Sequence, residues 1–314
     1  MENQTISKPN PFLNQTSKSQ AIKGQLIVGI TQMAVVTIIA ILAIILGIIV
    51  YQGRTQFSWA FITSFPTNGM TEGGIFPALI GTFILVILMS IAAVPFGTIT
   101  AIYLTEYARE NSKFAAAVRF SVRTLAVVPS IIFGLFGLGF FIKFVGNGAD
   151  KVFHGGQLHW GQPNILWASL TMSLLTLPVI IVSVEEALKT IPRELREASL
   201  ALGATKWQTI KQVVLPGSVS GIMTGTILAV SRGAGEVAPI LFTGAAYYLA
   251  TLPKSLSDQF MNLGYHIYIM STQSSDVEKT MPIQFATTLV LLILTLSLNI
   301  IAVAIRSRIR RKAK

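Results

Sequence analysis

Apolar residues of the chain are gathered into six long runs, with polar and charged residues between them. Each run is close to the length of about 20 residues that an α-helix needs to cross a hydrocarbon layer about 30 Å thick. Backbone groups in lipid must find their hydrogen bonds within the segment, so helices are predicted. The pattern therefore predicts an all-α polytopic membrane protein. Its six transmembrane helices are predicted at residues 27–51, 75–103, 125–145, 165–184, 219–241 and 285–305.

The polar segments divide the 314 residues into four parts. The first is rich in Asn, Gln, Ser, Thr and Lys, and we expect a disordered cytoplasmic tail there. The second holds the first transmembrane helix and an outer loop. The third is a core of five helices, with a polar loop between the fourth and fifth apolar runs, and the fourth is a basic cytoplasmic tail. These parts cover residues 1–24, 25–74, 75–305 (loop 185–216) and 306–314.

Basic residues lie mainly on one side of the predicted membrane. Eighteen of the 24 Lys and Arg residues fall in the two tails and in the loops 106–123 and 185–216, and five fall in the opposite loops. Cytoplasmic loops carry such an excess, so both termini are predicted to be cytoplasmic. The net charge of +11 therefore reflects the orientation of the chain in a lipid membrane, and we expect no nucleic-acid partner.

Motifs for catalysis and for metal binding are missing from the sequence. No cysteine is present, which excludes disulfides and thiolate ligands. No Gly-x-x-x-x-Gly-Lys-Ser/Thr loop occurs, so the chain cannot bind ATP in the P-loop manner. His154, His159 and His266 fall in outer loops without a third converging ligand, and we expect them to be solvated. The sequence predicts a protein that is not an enzyme and holds no cofactor.

The fifth apolar run contains two charged residues, Arg232 and Glu236. Each costs about 2.5–3.5 kcal/mol to place in a membrane. They are four residues apart, so they share a helix face and can pair. Two explanations stay open: an ion pair that bridges helices, or a charged constriction on the path of a polar solute. The planar fork of arginine suits an oxyanion such as phosphate, and the glutamate would hold the guanidinium in place when the path is empty.

The third apolar run contains Pro129 and three glycines, Gly134, Gly137 and Gly139. Proline leaves a gap in the helical hydrogen bonds, and glycines let neighbouring backbones approach closely. Ordinary helix packing would explain these residues by itself. We predict that the helix continues into this run from a start near Ser112.

The polar loop before the fifth run contains the start and stop signals of two short helices. The first is predicted at 193–202, with Gly203 as a left-handed C-cap. Thr205 can cap a second helix at 206–214, which Pro216 is expected to stop. Two short helices that meet at a glycine would form a compact knob on the cytoplasmic side. A solvated amphipathic connector is the alternative explanation.

The same loop resembles the EAA-type loop of ABC-importer permeases, with the sequence Glu197-Ala198-Ser199, then Gly203, then Val213-Val214-Leu215-Pro216. The resemblance implies a permease core of the importer type (MetI-like) and a loop that docks on a dimer of ATPase subunits, which bind the ATP and Mg. It also implies which residues take part in coupling: Arg193, Arg196, Glu197, Ala198, Gly203, Leu215 and Pro216.

Two further stretches are similar to permeases of phosphate importers, Pro129–Gly137 and Arg232–Thr243, the second being closer to the A subunit than to the C subunit. Val237 departs from the threonine that is common there. The resemblance implies a homologous permease as partner, an external phosphate-binding protein, and inorganic phosphate as the solute. Another oxyanion (sulfate, molybdate or phosphonate) and a channel or scaffold without an ATPase remain alternatives, and a membrane-embedded enzyme lacks any catalytic set.

Overall fold

The computed structural model describes residues 18–109, 111–274 and 276–312 of the chain. It is helical apart from a small hairpin of two antiparallel strands. The helices are α1 (Lys18–Gly53), α2 (Trp59–Thr63), α3 (Phe76–Ile102), α4 (Lys113–Leu125), α5 (Ser130–Phe136), α6 (Asn147–Phe153), α7 (Ile165–Lys189), α8 (Arg193–Ala201), α9 (Lys206–Thr209), α10 (Leu215–Ala234), α11 (Leu263–Thr272) and α12 (Val277–Lys312). The strands are β1 (Pro66–Thr67) and β2 (Glu72–Gly73).

Wide π-type turns extend or join several of these helices. They cover Tyr103–Tyr107 after α3, Gly137–Gly146 between α5 and α6, and Ile210–Val214 between α9 and α10. In the described part of the chain, six continuous helices are long and apolar enough to cross a membrane, which confirms the predicted number. They run over Ile22–Gly53, Phe76–Tyr107, Ser130–Phe153, Ile165–Lys189, Lys206–Ala234 and Val277–Arg308.

The chain forms two compact units, residues 1–51 and 52–314. In the first, the apolar side chains of α1 are exposed along its described length, as expected for a helix surrounded by lipid. The helix begins at Lys18, so the tail predicted for 1–24 is too long. Residues 1–17 lie outside the described residues, as do 313–314. The predicted basic tail 306–314 also differs, because α12 continues to Lys312.

The centre of the second unit is α7, which packs against α3, α4 and α10. Apolar side chains of these helices form one cluster towards the C-terminal end of α7, with Ile180, Val184 and Leu188 of α7 fully buried. Small residues bring α7 and α10 together. A methyl group added at Gly221 or Gly225 would collide with Ala187 or Ser183 of α7. The two helices are therefore antiparallel neighbours in close contact.

The third predicted span is interrupted. Helix α4 ends at Leu125, and a new helix starts at Ser130 after Pro129, whose φ and ψ of −55° and 137° are not helical. The prediction of one helix continuing from Ser112 is therefore wrong, although Ser112 does cap α4. Proline disfavours the helical conformation in the residue before it and lacks the N–H that would continue the ladder. The membrane span is shifted to Ser130–Phe153.

The fifth span also differs at both ends. Pro216 does not stop the helix, because the π-type turn Ile210–Val214 leads directly into α10, and Pro216 lies in its first turn, where no N–H donor is needed. At the other end the helix stops at Ala234 and is capped by Gly235. The predicted continuation to residue 241 is wrong, and the chain beyond Gly235 makes successive turns as far as Thr243.

Candidate functional site

The end of α10 lies halfway along the membrane-crossing helix α7. A methyl group added at Gly233 would be 2.9 Å from Thr176 Cγ2, and Thr176 is near the middle of α7. Two further contacts, Gly221 with Ala187 and Gly225 with Ser183, continue the same antiparallel order towards the C-terminal end of α7. Because α7 crosses the hydrocarbon layer, the last turn of α10 is at mid-depth.

A cavity of about 220 Å³ opens at this depth. One wall is the last turn of α10, with Arg232 and Gly233, followed by Glu236. Another part of its lining is the break between α4 and α5, with Pro129 and Ser130. Residues of α7, including Thr176, complete the lining. The cavity, called the mid-membrane pocket below, therefore lies between a helix that ends and a helix that begins.

Arg232 and Glu236 meet at the pocket, but they do not share one helix. Arg232 is in the last turn of α10, and Glu236 follows the helix end, where its N–H donates to the Gly233 carbonyl at 3.1 Å. The Arg232 Nε and Glu236 Oε1 atoms are 3.8 Å apart, a loose ion pair. The Arg232 side chain is 71% exposed and that of Glu236 26%. The guanidinium is thus directed out of this subunit's packed interior.

The start of the third span supplies a second polar group at the pocket. Its first residue, Ser130, lines the cavity, and the helical span that begins there extends to Phe153. First-turn N–H groups of a helix have no intrahelical acceptor, and the helix dipole is positive at this end. An anion in the pocket would find a guanidinium on one side and this helix start on the other. In the sequence, Ser130 stands out only as a member of the stretch Pro129–Gly137, and its place at the pocket depends on the fold.

Glycines of the third span let the turns after α10 pack beside it. A methyl group at Gly134 would be 3.0 Å from the Pro239 carbonyl oxygen, and one at Gly137 would collide with Thr171 and Thr243. Gly139 has nothing within 4 Å of such a group. The prediction of close approach is confirmed for the first two glycines and wrong for Gly139.

The polar loop 185–216 forms a knob whose first helix is short, as expected, whereas its second helix is the start of the long span Lys206–Ala234. Helix α8 covers Arg193–Ala201, one residue shorter than predicted, and Gly203 follows with a φ of +87°, the left-handed conformation predicted for it. Thr205 accepts from the Gln208 N–H, and the Gln208 side chain accepts from the Thr205 N–H, so the second helix has a capping box. This part of the loop follows its sequence signals closely.

The knob exposes an apolar surface that the sequence did not reveal. Leu202 is 90% exposed and Trp207 57%, beside the exposed Leu195. Three members of the predicted set, the charged Arg193 and Glu197 and the small apolar Ala198, are exposed as well. Leu215 is partly buried in the cluster around α7, and Pro216 is exposed at the start of α10. The knob therefore combines charged and apolar groups on an outward face.

Arg196 is placed differently from the expectation that it contacts an ATPase. Its guanidinium turns inward, where Nη2 donates to Glu106 Oε1 at 2.8 Å and to the Leu188 carbonyl at 2.8 Å, and Nη1 donates to the Ile191 carbonyl. The side chain is only 17% exposed. A fourth acceptor of the guanidinium is the Pro192 carbonyl. An arginine bonded to four oxygens of its own subunit is not available to a partner, so Arg196 does not belong to the docking face.

His266 corrects the expectation of solvated histidines. It lies in α11 with 2% of its surface exposed, and burial lowers its pKa to about 4. His154 and His159 are adjacent, with ring centroids 4.8 Å apart. Over residues 18–109, 111–274 and 276–312, no group of three or more His, Asp or Glu side chains is arranged to hold a metal ion.

Comparison with known proteins gives consistent matches. Residues 93–311 match the family model of the binding-protein-dependent transport system inner membrane component. A probable ABC transporter permease, YqgI of Bacillus subtilis, is 30% identical over 266 residues, covering 81% of this chain and 85% of that protein. The phosphate transport system permease PstA of Haemophilus influenzae is 31% identical over 245 residues, covering 78% and 80%.

A solved structure supports the same fold. A chain of a bacterial alginate ABC transporter, crystallised in complex with an alginate pentasaccharide-bound periplasmic protein, superposes with a TM-score of 0.67 and covers 93% of this chain and 97% of that chain. The identity is 18%, so the likeness concerns the fold alone. It confirms the predicted class, an all-α membrane protein with an importer-permease core.

Proposed function

Since the chain belongs to the family of binding-protein-dependent transport system inner membrane components, and is thus an ABC-importer permease, we propose that it forms the path of inorganic phosphate across the bacterial inner membrane. The observation that carries this proposal is the mid-membrane pocket, whose lining includes both Arg232 and Ser130, the start of a helical span. Similarity to the permease PstA supports phosphate as the solute.

The exposure of Arg232 supports a path that two permeases share. A guanidinium in contact with lipid at mid-depth would cost about 2.5–3.5 kcal/mol even on the more lenient scales. With 71% of its side chain exposed in this subunit, Arg232 needs water or a second protein on its open side. A homologous permease packed against this face would enclose a water-filled path with the guanidinium on its wall.

The chemistry of the pocket suits phosphate. Arginine can donate two parallel N–H bonds to an oxyanion, and the positive end of the helix that begins at Ser130 also favours an anion. Glu236, 3.8 Å from Arg232, neutralises part of the guanidinium charge when the path is empty. The same carboxylate repels an anion that stays, so binding remains weak enough for release.

We assign energy supply to a partner, since the chain has no P-loop of its own. ATP and Mg would be bound by a dimer of ATPase subunits under the cytoplasmic knob. Arg193 and Glu197 would be charged contacts of this docking face and Ala198 a small apolar one, and Gly203 shapes the turn beside them. Leu202 and Trp207 add exposed apolar area, whose burial favours association.

The transport cycle follows from these placements as alternating access. Both termini would lie in the cytoplasm, and an external phosphate-binding protein would dock on the outer loops. Closure of the ATPase dimer on ATP would move the knob and open the pocket outward to accept phosphate. Hydrolysis would return the pocket to the inward-open state.

A competition experiment tests the choice of phosphate over other oxyanions. The complete importer is reconstituted in proteoliposomes with ATP inside, and uptake of labelled phosphate is measured with sulfate, molybdate or a phosphonate in excess. Phosphate uptake that depends on ATP and resists all three competitors supports the proposal. Strong inhibition by sulfate or molybdate would assign the path to that anion, and uptake without ATP would indicate a channel.

A further inference from the structure

Helix α8 of the knob is attached to the membrane body by polar bonds and has no packed core of its own. None of its residues is buried. Within the described residues it is tied at one end by Ser199, whose hydroxyl is 2.9 Å from that of Thr209, and in the middle by Arg196. Besides the chain itself, these side-chain bonds are therefore the connections through which a push on α8 can reach the membrane body.

Arg196 connects α8 to the cytoplasmic end of α3. Its partner Glu106 belongs to the π-type turn Tyr103–Tyr107, which continues that helix. The Glu106 side chain is 8% exposed. A carboxylate buried to this extent costs several kcal/mol unless it is paired, so the ion pair holds firmly. The turn therefore moves together with α8.

A second arginine connects the same turn to α4. Arg119 Nη2 donates to the Leu104 carbonyl of the turn at 2.6 Å, and Arg119 Nε is 3.3 Å from Glu185 Oε1 of α7. The Glu185 side chain is 10% exposed, so this pair is also largely removed from water. Arg119 thus joins three elements at one point: α4, α7 and the turn that carries Glu106.

Helix α4 leads directly to the mid-membrane pocket. It ends at Leu125, and residues Leu125, Ala126, Val128, Pro129 and Ser130 line the cavity. A displacement of α4 along its axis would shift this wall and the helix start at Ser130. The bonds therefore form a continuous series from the knob to the pocket.

We propose that Arg196 and Arg119 are positioning residues that carry the movement of α8 through the turn Tyr103–Tyr107 and α4 to the pocket wall. The proposal rests on the assigned coupling to an ATPase and deepens it, because it names the connection inside the permease. Both side chains act through their partners and touch neither phosphate nor ATP. Each uses several donors of its fork at once, which a lysine cannot reproduce.

The test measures phosphate taken up per ATP hydrolysed by the complete importer in proteoliposomes. Arg196→Gln and Arg119→Gln are compared with two control variants on the same helices, Glu194→Gln of α8 and Arg123→Gln of α4. Both control side chains are exposed, and neither makes a hydrogen bond or ion pair among the described residues. We call the proposed connection through Arg196 and Arg119 the relay. Both relay variants, Arg196→Gln and Arg119→Gln, are expected to hydrolyse ATP while phosphate uptake per ATP falls about tenfold, within the usual range of coupling between sites.

Three further variants test the series and separate coupling from folding. The double variant Arg119→Gln with Arg196→Gln should lose no more than the worse single variant, because both act in one series. If single variants fail to assemble, Glu106→Gln with Arg196→Gln removes both charges and leaves no unpaired buried carboxylate. It is expected to assemble and remain uncoupled, and Arg196→Lys should recover coupling in part.

The outcomes are distinct. Uptake per ATP equal to wild type in Arg196→Gln and Arg119→Gln, or in the charge-neutral pair, overturns the relay. Losses that add in the double variant also overturn it, since independent sites would then be acting. A wild-type importer that hydrolyses ATP but takes up no phosphate refutes the proposed function, and the relay is then measured with the anion that it does transport.

Discussion

Gly233 of α10 lies against Thr176 of α7, so close that an added methyl group would be 2.9 Å from the threonine Cγ2 and equally close to Met89 Sδ of α3. This contact fixes the end of α10 at the middle of the membrane. It also fixes the position of Arg232, the preceding residue. A mid-depth helix end is one of the arrangements by which membrane transporters form solute sites, since irregular backbone is tolerated where it lines a cavity.

Gly233→Ala tests this contact. Overpacking at a junction of three helices costs about 1–3 kcal/mol, so the variant should unfold at a lower temperature and lose uptake as Arg232 is displaced. Gly139→Ala is the matched control, because nothing lies within 4 Å of the added methyl group there. Thermal unfolding of the purified complex in detergent checks both variants. Equal midpoints for the two would contradict the close packing.

Glu236→Gln should separate binding from release. The substitution removes the negative charge 3.8 Å from the Arg232 guanidinium and keeps nearly the same shape. An anion then meets an uncompensated guanidinium, so we expect half-saturation at a lower phosphate concentration and a lower maximal uptake rate. Initial rates over a range of concentrations in proteoliposomes distinguish the two effects. If the half-saturating phosphate concentration and the maximal uptake rate were both unchanged, the Glu236 carboxylate would have no part in release.

Leu202→Ser tests the apolar part of the docking face. Burying a leucine at an interface contributes about 1.5–3 kcal/mol, so its loss should weaken ATPase binding about tenfold or more. The side chain is 90% exposed, and its replacement should leave the permease fold unchanged. Leu158→Ser, at an exposed leucine of an outer loop, is the control. Titration of purified ATPase against permease in nanodiscs gives the affinities, and equal values would place the interface elsewhere.

Gly203→Ala tests the shape of the knob. A residue with a side chain pays roughly 1–2 kcal/mol in the left-handed conformation that Gly203 adopts at φ +87°. The knob should shift or fray, and ATPase binding should weaken although no contact atom is removed. Because no other group lies within 4 Å of the added methyl, strain is the expected cause. Hydrogen exchange of α8 and α9 should rise in the variant; unchanged exchange and affinity would contradict the assignment.

His266 should make stability depend on pH. Its pKa is lowered from 6.5 to about 4 by burial, so the unfolded chain binds the proton more readily between these values. Stability is therefore full above about pH 6.5 and falls as pH drops towards 4, by up to about 3 kcal/mol. Melting temperatures measured from pH 8 to 4.5 should fall more steeply for wild type than for His266→Gln. Parallel curves would show that His266 does not contribute.

Local signals explain which features could be predicted from the sequence. Six apolar runs gave six spans, Gly203 took the left-handed conformation that a residue without Cβ allows, and Thr205 took the N-cap position that its hydroxyl favours. Apolar length alone could not place the end of α10, because the apolar residues 237–241 extend the run beyond it. Their path depends on Gly235 and on packing against Gly134 and Gly137 of another span.

Long-range contacts explain the rest. Arg196 and Glu106 are 90 positions apart, and Arg119 and Glu185 are 66 apart, so their pairing is not visible in a local pattern. A charged residue in a polar loop looks solvated until its partner is known. The burial of His266, with 2% of its surface exposed, is likewise not visible in the local sequence.

The most direct test of the central claim is phosphate uptake by the importer that carries Arg232→Gln, measured in proteoliposomes together with recovery of the assembled complex. We expect a complex of normal composition that binds and hydrolyses ATP but takes up no phosphate above background, because the guanidinium at the mid-membrane pocket is gone. Uptake at the wild-type rate would contradict the claim that Arg232 lines the path. Failure of the complex to assemble would identify the pair with Glu236 as structural.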